Sequence, residues 1–283
     1  MSNESGRLFV VATPIGNLGD LSDRAREVLA AVHRIAAEDT RHSGQLLGRL
    51  GIRSPMISLH EHNEAERVTR ILSCLEAGES VALVSDAGTP LISDPGYRLV
   101  RAARQAGFEV LAVPGPSSVI AALSVAGLPT DRFFFEGFLP ARPAARRRRL
   151  EALAGQPHTL VFLEAGRRVP AALDDLSDLL GAGREGAVCR ELTKRFETTR
   201  SGSLAELADW IRGDATRVRG EFVILVGPDP DDRAPSAAPV PDTASLLQML
   251  RAEGLGAKAA ARVTARITGE SANALYDRAV QEG

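Results

Sequence analysis

The segment 84–97 concentrates residues that can bind a polar ligand. It follows the apolar run 80–84 and contains two glycines, two prolines and two aspartates. Glycine lets the backbone approach a ligand closely, proline fixes the path of the chain, and carboxylates accept hydrogen bonds. In an open α/β sheet, ligands bind at the carboxyl ends of the strands. The pattern therefore predicts a ligand-binding loop after a buried strand.

Two further segments have a similar character. Residues 14–20 follow the apolar run 8–12, and residues 114–118 form a Pro-Gly-Pro turn that leads into a helix. Neither segment is a Walker loop or a GxGxxG fingerprint. An ordinary strand-to-helix turn and a simple helix N-cap remain the alternative interpretations.

The elements that position these loops alternate between strand and helix. Apolar runs in the first half predict strands, and the stretches between them have helical spacing. The second half repeats this alternation. In the first half, this order predicts a mostly parallel sheet that is covered by helices on both faces. The predicted strands are residues 8–12, 34–37, 55–59, 80–84, 109–113, 133–138, 159–163, 187–192 and 220–227.

Breaks in composition predict the domain organisation. The Gly-Leu-Pro-Thr sequence that begins at Gly127 is typical of a boundary, and the Pro-, Asp- and Ala-rich stretch after Gly227 is typical of a flexible connector. We expect an N-terminal α/β domain over 1–127, a second α/β domain over 128–228, a linker over 229–241 and a small helical C-terminal module over 242–283.

Composition excludes several classes of protein. The 283 residues carry a net charge of −2, which argues against a protein that coats nucleic acid through bulk charge. Cys74 and Cys189 are far apart, so a disulfide scaffold is not expected. His60 and His62 have no third ligand at a suitable spacing, so we predict no metal site. Because neither a signal peptide nor a membrane-spanning segment is evident, we expect a cytoplasmic protein.

Several motifs in one order carry a family resemblance. They include Thr-Pro-Ile-Gly-Asn-Leu-Gly-Asp at 13–20, Ala-Glu-Asp-Thr-Arg at 37–41 and Leu-His-Glu-His-Asn-Glu at 59–64. The segments 84–97 and 114–118, and Glu-Leu-Thr-Lys at 191–194, complete the set. With them the chain resembles the tetrapyrrole-methylase-like superfamily and, more narrowly, its branch of small-subunit rRNA cytidine 2′-O-methyltransferases.

The resemblance implies a fold, a cofactor and a partner. The fold would be a two-domain, non-Rossmann α/β methyltransferase with a C-terminal helical extension. It would bind S-adenosylmethionine in a cleft between the domains, act on small-subunit ribosomal RNA or the ribosomal subunit, and form a homodimer. The residues that the resemblance assigns to the cofactor are Pro14, Asp86, Gly88, Thr89, Ile92, Ser117, Ser118, Leu163, Arg190 and Glu221.

One segment departs from that branch. After the predicted strand 159–163 the branch has an aromatic residue, Glu, Ser, Pro and a basic pair. This chain has Leu-Glu-Ala-Gly-Arg-Arg at 163–168. It lacks the serine hydroxyl and the rigid proline but keeps the glutamate and both basic residues.

The chemistry of methyl transfer suggests catalytic candidates. A ribose hydroxyl is a poor nucleophile, so a base, or a cation that stabilises the forming alkoxide, should help. Lys194, with Glu191 close to it in sequence, is the first candidate, and Asp39 and Glu61 are alternatives. Solvent-facing charges or ion pairs are the competing interpretation of each residue.

A basic run predicts an RNA contact. Residues 142–149 contain five arginines in a nearly neutral protein, next to the predicted domain junction. A solvated face of the protein is the alternative. Lys258, Arg262 and Arg266 have four-residue spacing in the tail, which suits RNA contact or solubility equally. The residues predicted to bind RNA are Arg146, Arg147, Arg148, Arg149, Arg167 and Arg168.

Two other functions remain open at this point. The same fold and cofactor can serve methylation of a small molecule such as a tetrapyrrole, although the arginine run and the helical tail argue against it. A non-catalytic RNA-binding ribosome-assembly factor is a second alternative. Tight cofactor binding without methyl transfer to any RNA would identify such a factor.

Overall fold

The computed structural model describes residues 6–60, 63–229 and 243–281. The chain divides into two compact units, Met1–Pro230 and Asp231–Gly283. Nearly all of the predicted linker 229–241 lies outside the described residues. The predicted domain boundaries therefore stay predictions.

The first half of the larger unit is an α/β layer built on a parallel five-stranded sheet. The strand order is β3-β2-β4-β1-β5, and every neighbouring pair is parallel. Its elements are β1 (Arg7–Val11), α1 (Asp23–Ala31), β2 (Arg34–Ala37), α2 (Thr40–Arg49), β3 (Met56–Ser58), α3 (Glu64–Glu76), β4 (Val81–Val84), α4 (Tyr97–Gln105), β5 (Glu109–Val113) and α5 (Ser118–Val125).

Apolar strands explain why this sheet lies at the centre. All four residues of β4 are buried, as expected for a strand with a helix layer on each face. One core cluster packs α1 and α2 on one face, and another packs α3 and α4 on the other. The carboxyl ends of β2, β4, β1 and β5 therefore lie side by side at one sheet edge.

The second half is built on a mixed sheet. Its strand order is β6-β7-β10-β8-β9, in which only β6 and β7 are parallel. The elements are β6 (Phe133–Phe138), α6 (Pro143–Leu153), β7 (Thr159–Ala165), α7 (Val169–Leu180), β8 (Glu185–Arg190), β9 (Thr198–Ser203), α8 (Leu204–Arg212) and β10 (Glu221–Val226). Helices α6, α7 and α8 pack on one face around buried Phe162.

Helix α5 covers the other face of the second sheet. Val119, Ala122 and Leu123 join a core cluster with Val161 and Val223 of β7 and β10. Ile15, from the loop after β1, belongs to the same cluster. This shared core holds the β1 loop against the second sheet.

The described residues of the smaller unit form three helices. They are α9 (Thr243–Ala252), α10 (Ala257–Thr268) and α11 (Ala272–Gln281), and they enclose a small core around Leu247 and Leu275. Lys258, Arg262 and Arg266 are exposed on α10. In the part of the chain that the structure describes, no helix is long and apolar enough to cross a membrane.

Candidate active site

The three predicted ligand loops are joined by hydrogen bonds. Thr13 and Gly88 pair through both of their backbone amides and carbonyls, at 2.9 and 3.0 Å. The Thr89 hydroxyl donates to the carbonyl oxygen of Pro116 at 3.1 Å, and the Thr13 hydroxyl donates to that of Ser85 at 3.2 Å. The loops after β1, β4 and β5 therefore form one assembly at the sheet edge.

The loop after β4 contains unusual backbone conformations. Leu91 and Ser93 have φ angles of 75° and 69°, in the left-handed region that residues other than glycine rarely adopt. Each such residue costs about 1–3 kcal/mol and persists because the surrounding structure enforces its conformation. Strain of this kind concentrates at binding sites, which agrees with the position of the loop.

A cavity of about 430 Å³ opens beside these loops. The loop after β4 lines one side, and β7, β8 and β10 of the second sheet line the other. Half of the residues assigned to the cofactor by resemblance lie in its wall. They are Asp86, Ile92, Ser118, Leu163 and Glu221.

The other five assigned residues occupy different positions. Gly88 and Thr89 form the loop contacts described above, and Ser117 is the residue before the first turn of α5. Pro14 lines a second, adjoining cavity. The Arg190 guanidinium donates to the carbonyl oxygens of Arg219 and Thr216, so it braces the turn before β10 rather than lining either cavity.

Three acidic residues that were not among the predicted site residues line the first cavity but not the second. They are Glu38, Asp94 and Glu164. Burial raises the pKa of the Asp94 carboxyl, and repulsion from Asp86 adds to this increase against a hydrogen bond from Ser85. The second aspartate of the 84–97 loop was the available sequence signal for Asp94.

Glu164 is the most deeply buried of these acids. Its Oε1 accepts from the Ala165 amide at 2.9 Å and lies 3.0 Å from Arg168 Nε. Its Oε2 is buried without a hydrogen-bond partner among the described residues. Burial raises its pKa against the opposing effects of the Ala165 amide, Arg168 and Arg146. A donor entering the cavity would satisfy Oε2.

Lys194 lines the second cavity and belongs to an ion cluster with Glu191 and Glu221, of which Glu221 lines both cavities. Its Nζ lies 2.9 Å from Glu191 Oε1 and 2.8 Å from Glu221 Oε2. Partial burial alone would lower the lysine pKa, but the bonds to Glu221 and Glu191 outweigh it and raise that pKa. Lys194 is therefore a cation near neutral pH and cannot serve as a general base.

Two glycines shape this cluster. A Cβ at Gly220, whose φ is +99°, would lie 2.4 Å from Glu191 Oε1. A Cβ at Gly16 would lie 2.4 Å from Lys194 Cγ. Both positions need glycine because the charged side chains cross directly over the backbone. Glu191 itself has a φ of 51°.

The alternative catalytic residues are placed less favourably. The Asp39 carboxylate caps α2 and pairs with Arg41 at 3.1 Å. Hydrogen bonds from the Arg41 side chain and backbone lower the Asp39 pKa, which makes it a weak base. Asp39 lines neither of the two cavities. Glu61 lies outside the described residues.

The predicted RNA-binding arginines differ from one another in the structure. Arg146 is buried, with its Nε 2.7 Å from Asp175 Oδ2, so it is an internal ion pair rather than a surface contact. Arg147 and Arg149 are bound to acidic side chains at 2.6 Å. Arg168 forms an ion pair with Glu164 and donates a hydrogen bond to the carbonyl oxygen of Leu139.

Arg148 and Arg167 are the two predicted arginines that are exposed and form no ion pair with a described residue. The arginines of the basic run were all given the same role because helix α6 was not predicted. Its periodicity alternates arginines between the core face and the solvent. We therefore restrict this part of the predicted RNA surface to Arg148 and Arg167.

The segment that departs from the resembled branch has a local explanation. The Gly166 amide donates to the carbonyl oxygen of Gly220 at 3.0 Å. A Cβ at Gly166 would lie 2.2 Å from the Val218 carbonyl oxygen. A proline here would lack the donating amide, so glycine suits the close approach of these two backbone segments.

Sequence comparison relates both units of the chain to known protein families. Residues 7–208 match the family described as Tetrapyrrole (Corrin/Porphyrin) Methylases, and residues 237–283 match the RsmI C-terminal HTH domain. A protein of Xylella fastidiosa named Ribosomal RNA small subunit methyltransferase I is 53% identical over 271 residues, covering 96% of this chain and 98% of that protein. A Pseudomonas aeruginosa protein of the same name is 51% identical, with 98% of each chain covered.

Solved structures show a similar fold at low sequence identity. A cobalt precorrin-4 methyltransferase superposes with a TM-score of 0.59 at 17% identity, over 78% of this chain and 94% of that one. A uroporphyrin-III C-methyl transferase from Thermus thermophilus, complexed with S-adenyl homocysteine, gives 0.54 at 21% identity, over 78% and 97%. The predicted α/β class is confirmed.

Proposed function

The chain belongs to the tetrapyrrole methylase family, and we propose that it transfers a methyl group from S-adenosylmethionine to the 2′-hydroxyl of a cytidine in 16S ribosomal RNA. The observation that carries this proposal is the 51–53% identity to small-subunit rRNA methyltransferases along nearly the whole chain, including the C-terminal unit. The site geometry is consistent with it.

The first cavity suits S-adenosylmethionine. When bound, this cofactor supplies a methyl group on a positively charged sulfur, which a nucleophile can displace. The carboxylates of Asp86, Asp94 and Glu164 favour a cationic ligand, and the unpartnered Glu164 Oε2 can accept a hydrogen bond from it. Ile92 and Leu163 provide apolar surface in the same cavity.

The residues of this chain contribute mainly position and charge. The joined loops after β1, β4 and β5 fix the cofactor cavity, and positioning of this kind supplies a large part of the acceleration of a displacement reaction. Lys194, held protonated by Glu191 and Glu221, is the cation that would stabilise the negative charge forming on a ribose oxygen. We propose it as the catalytic residue.

The proposal extends to assembly and location. We propose that the enzyme is a cytoplasmic homodimer and that its partner is small-subunit rRNA or the ribosomal subunit. The names of the solved structures favour the alternative of a small-molecule substrate. However, the sequences of those solved structures are less than 25% identical to this chain. The rRNA methyltransferases are far more similar, and their similarity includes the C-terminal unit.

The decisive experiment measures and maps methyl transfer. The protein is incubated with labelled S-adenosylmethionine and either small ribosomal subunits or deproteinised rRNA from a strain that lacks the enzyme. We expect label on one cytidine 2′-oxygen of 16S rRNA. Label on a base, or no label on RNA, would contradict the proposal. Tight cofactor binding without transfer would favour the non-catalytic assembly factor.

A further inference from the structure

Helix α2 presents one face to the second cavity, which has a volume of about 280 Å³. His42, Gln45, Leu46 and Arg49 line it, at positions i, i+3, i+4 and i+7 of the helix. Ser43 and Leu47 point into the protein instead. The helix therefore directs a mostly polar stripe into this cavity.

The second cavity adjoins the cofactor cavity. Ile15, Asp86, Ala87 and Glu221 line both. The start of α2 is fixed to the cofactor loop, because the Asp39 backbone amide donates to Asp86 Oδ1 at 3.2 Å. A ligand that occupies the second cavity would therefore lie next to the cofactor.

Charge separates the two cavities. The carboxylic acids that line only the first are Glu38, Asp94 and Glu164. Those that line only the second are His42, Arg49 and Lys194. The first arrangement suits a cationic sulfonium, and the second suits an anion such as a phosphodiester.

Arg49 is available to bind such an anion. Its side chain is exposed and forms no ion pair or hydrogen bond with the part of the chain that the structure describes, whereas Arg41 on the same helix is paired with Asp39. The side chains of His42 and Gln45 are exposed and equally free of partners within the described ranges. Arginine is well suited to phosphate because its planar guanidinium donates two parallel hydrogen bonds.

We propose that the α2 face of His42, Gln45 and Arg49 binds the RNA backbone beside the methylated ribose, with Arg49 on a phosphate. This inference rests on the proposed function and adds the substrate subsite. It separates cofactor binding in the acidic cavity from RNA binding in the basic one. Lys194, at the junction of the two, then faces the ribose oxygen.

The test compares Arg49→Ala with a matched control. Arg104→Ala removes an exposed arginine from the last turn of α4, which lines neither cavity. Binding of small subunits or rRNA, whichever the wild type methylates, is measured by titration at several salt concentrations. Cofactor affinity is measured by calorimetry.

We expect Arg49→Ala to weaken RNA binding roughly tenfold or more, as for loss of one charge-assisted hydrogen bond. The slope of log affinity against log salt should become shallower by about 0.7–0.9. Arg49→Glu should weaken binding further, and Arg49→Lys should restore part of it. Cofactor affinity should stay at the wild-type value in all three variants.

Two results would overturn the inference. RNA affinity of Arg49→Ala equal to that of Arg104→Ala would remove the phosphate contact, and a parallel loss of cofactor affinity would assign Arg49 to the cofactor. Failure of the proposed function has a different signature. In that case the wild type itself would transfer no methyl group to the RNA.

Discussion

Replacement of Arg146 should destabilise the protein, even though the sequence places this residue within a basic run. The side chains of Arg146 and Asp175 are only 7% and 11% exposed, and they connect α6 to α7 at 2.7 Å. Arg147 donates to the other oxygen of Asp175 at 2.6 Å. Removing either partner of the buried pair changes the packing and electrostatics of the second sheet's helical layer.

The magnitude depends on which partner is removed. Loss of one partner of a buried ion pair costs about 3–5 kcal/mol, because the remaining charge is left without compensation. In Arg146→Ala, Asp175 keeps its bond to Arg147, so we expect a smaller cost of about 2–3 kcal/mol, comparable to one charge-assisted hydrogen bond. Asp175→Ala leaves a buried guanidinium without its partner and should cost about 3–5 kcal/mol.

Urea unfolding followed by Trp210 fluorescence measures these differences. Trp210 is the only tryptophan in the chain, and it lies in α8, which packs with α7 in the same core cluster. Arg148→Ala is the control, since this neighbouring arginine is exposed, and it should change the free energy of unfolding by less than about 0.5 kcal/mol. If Arg146→Ala were as stable as Arg148→Ala, the interpretation of Arg146 as an internal ion pair would be refuted.

Two further predictions concern the active site. Lys194→Met should lower the rate constant of methyl transfer about 100-fold or more while cofactor affinity is retained, because the cation facing the forming alkoxide is lost. Single-turnover methylation measures this rate constant, and an unchanged value would exclude the proposed role. Asp94→Asn should stabilise the fold near pH 7, because burial raises the pKa of the Asp94 carboxyl and its charged form is disfavoured. Folding gains stability from this group below its unfolded pKa of about 3.9 and loses it as pH rises through the higher folded value. The urea midpoints of the two proteins should therefore converge below about pH 4. A difference that does not depend on pH would contradict this cause.

Local sequence signals predicted most of the strands and are also visible at helix starts. A serine directly before a helical pattern signals an N-cap, and the Ser22 hydroxyl accepts a hydrogen bond from the Ala25 amide at 3.1 Å. Ser203 likewise caps α8 in a capping box with Glu206. Strands β2, β5 and β6 were predicted at the observed bounds, because apolar runs between turn residues define them without tertiary information.

Elements with mixed composition were missed. Helix α2 begins after a capping aspartate, but its Thr-Arg-His-Ser-Gly start carries little helical signal. Helix α6 was interpreted as an exposed basic run. Its arginines form ion pairs with acidic residues on α7 and β6, and these partners are distant in sequence. Pairing between residues that are 13 or 29 positions apart cannot be deduced from composition.

The missed helix α2 explains why the predicted site was incomplete. The motifs of the resembled family identified loops at strand ends, and half of the residues assigned to the cofactor do line the first cavity. The second cavity is formed by a helix face whose members are spaced along α2, together with Lys194 from the other half of the unit. Only the fold brings these residues together.

The division of charge also limits how the reaction can be organised. A single cavity containing both Asp94 and Arg49 would pair them with each other and weaken binding of both ligands. In this chain, Asp86 and Glu221 line both cavities, and Glu221 holds Lys194 at their junction at 2.8 Å. The carboxylates can therefore favour the cationic cofactor while Arg49 of α2 and Lys194 present positive charge to the RNA. Loss of the cofactor's positive charge on methyl transfer would then weaken its binding in the acidic cavity and favour product release.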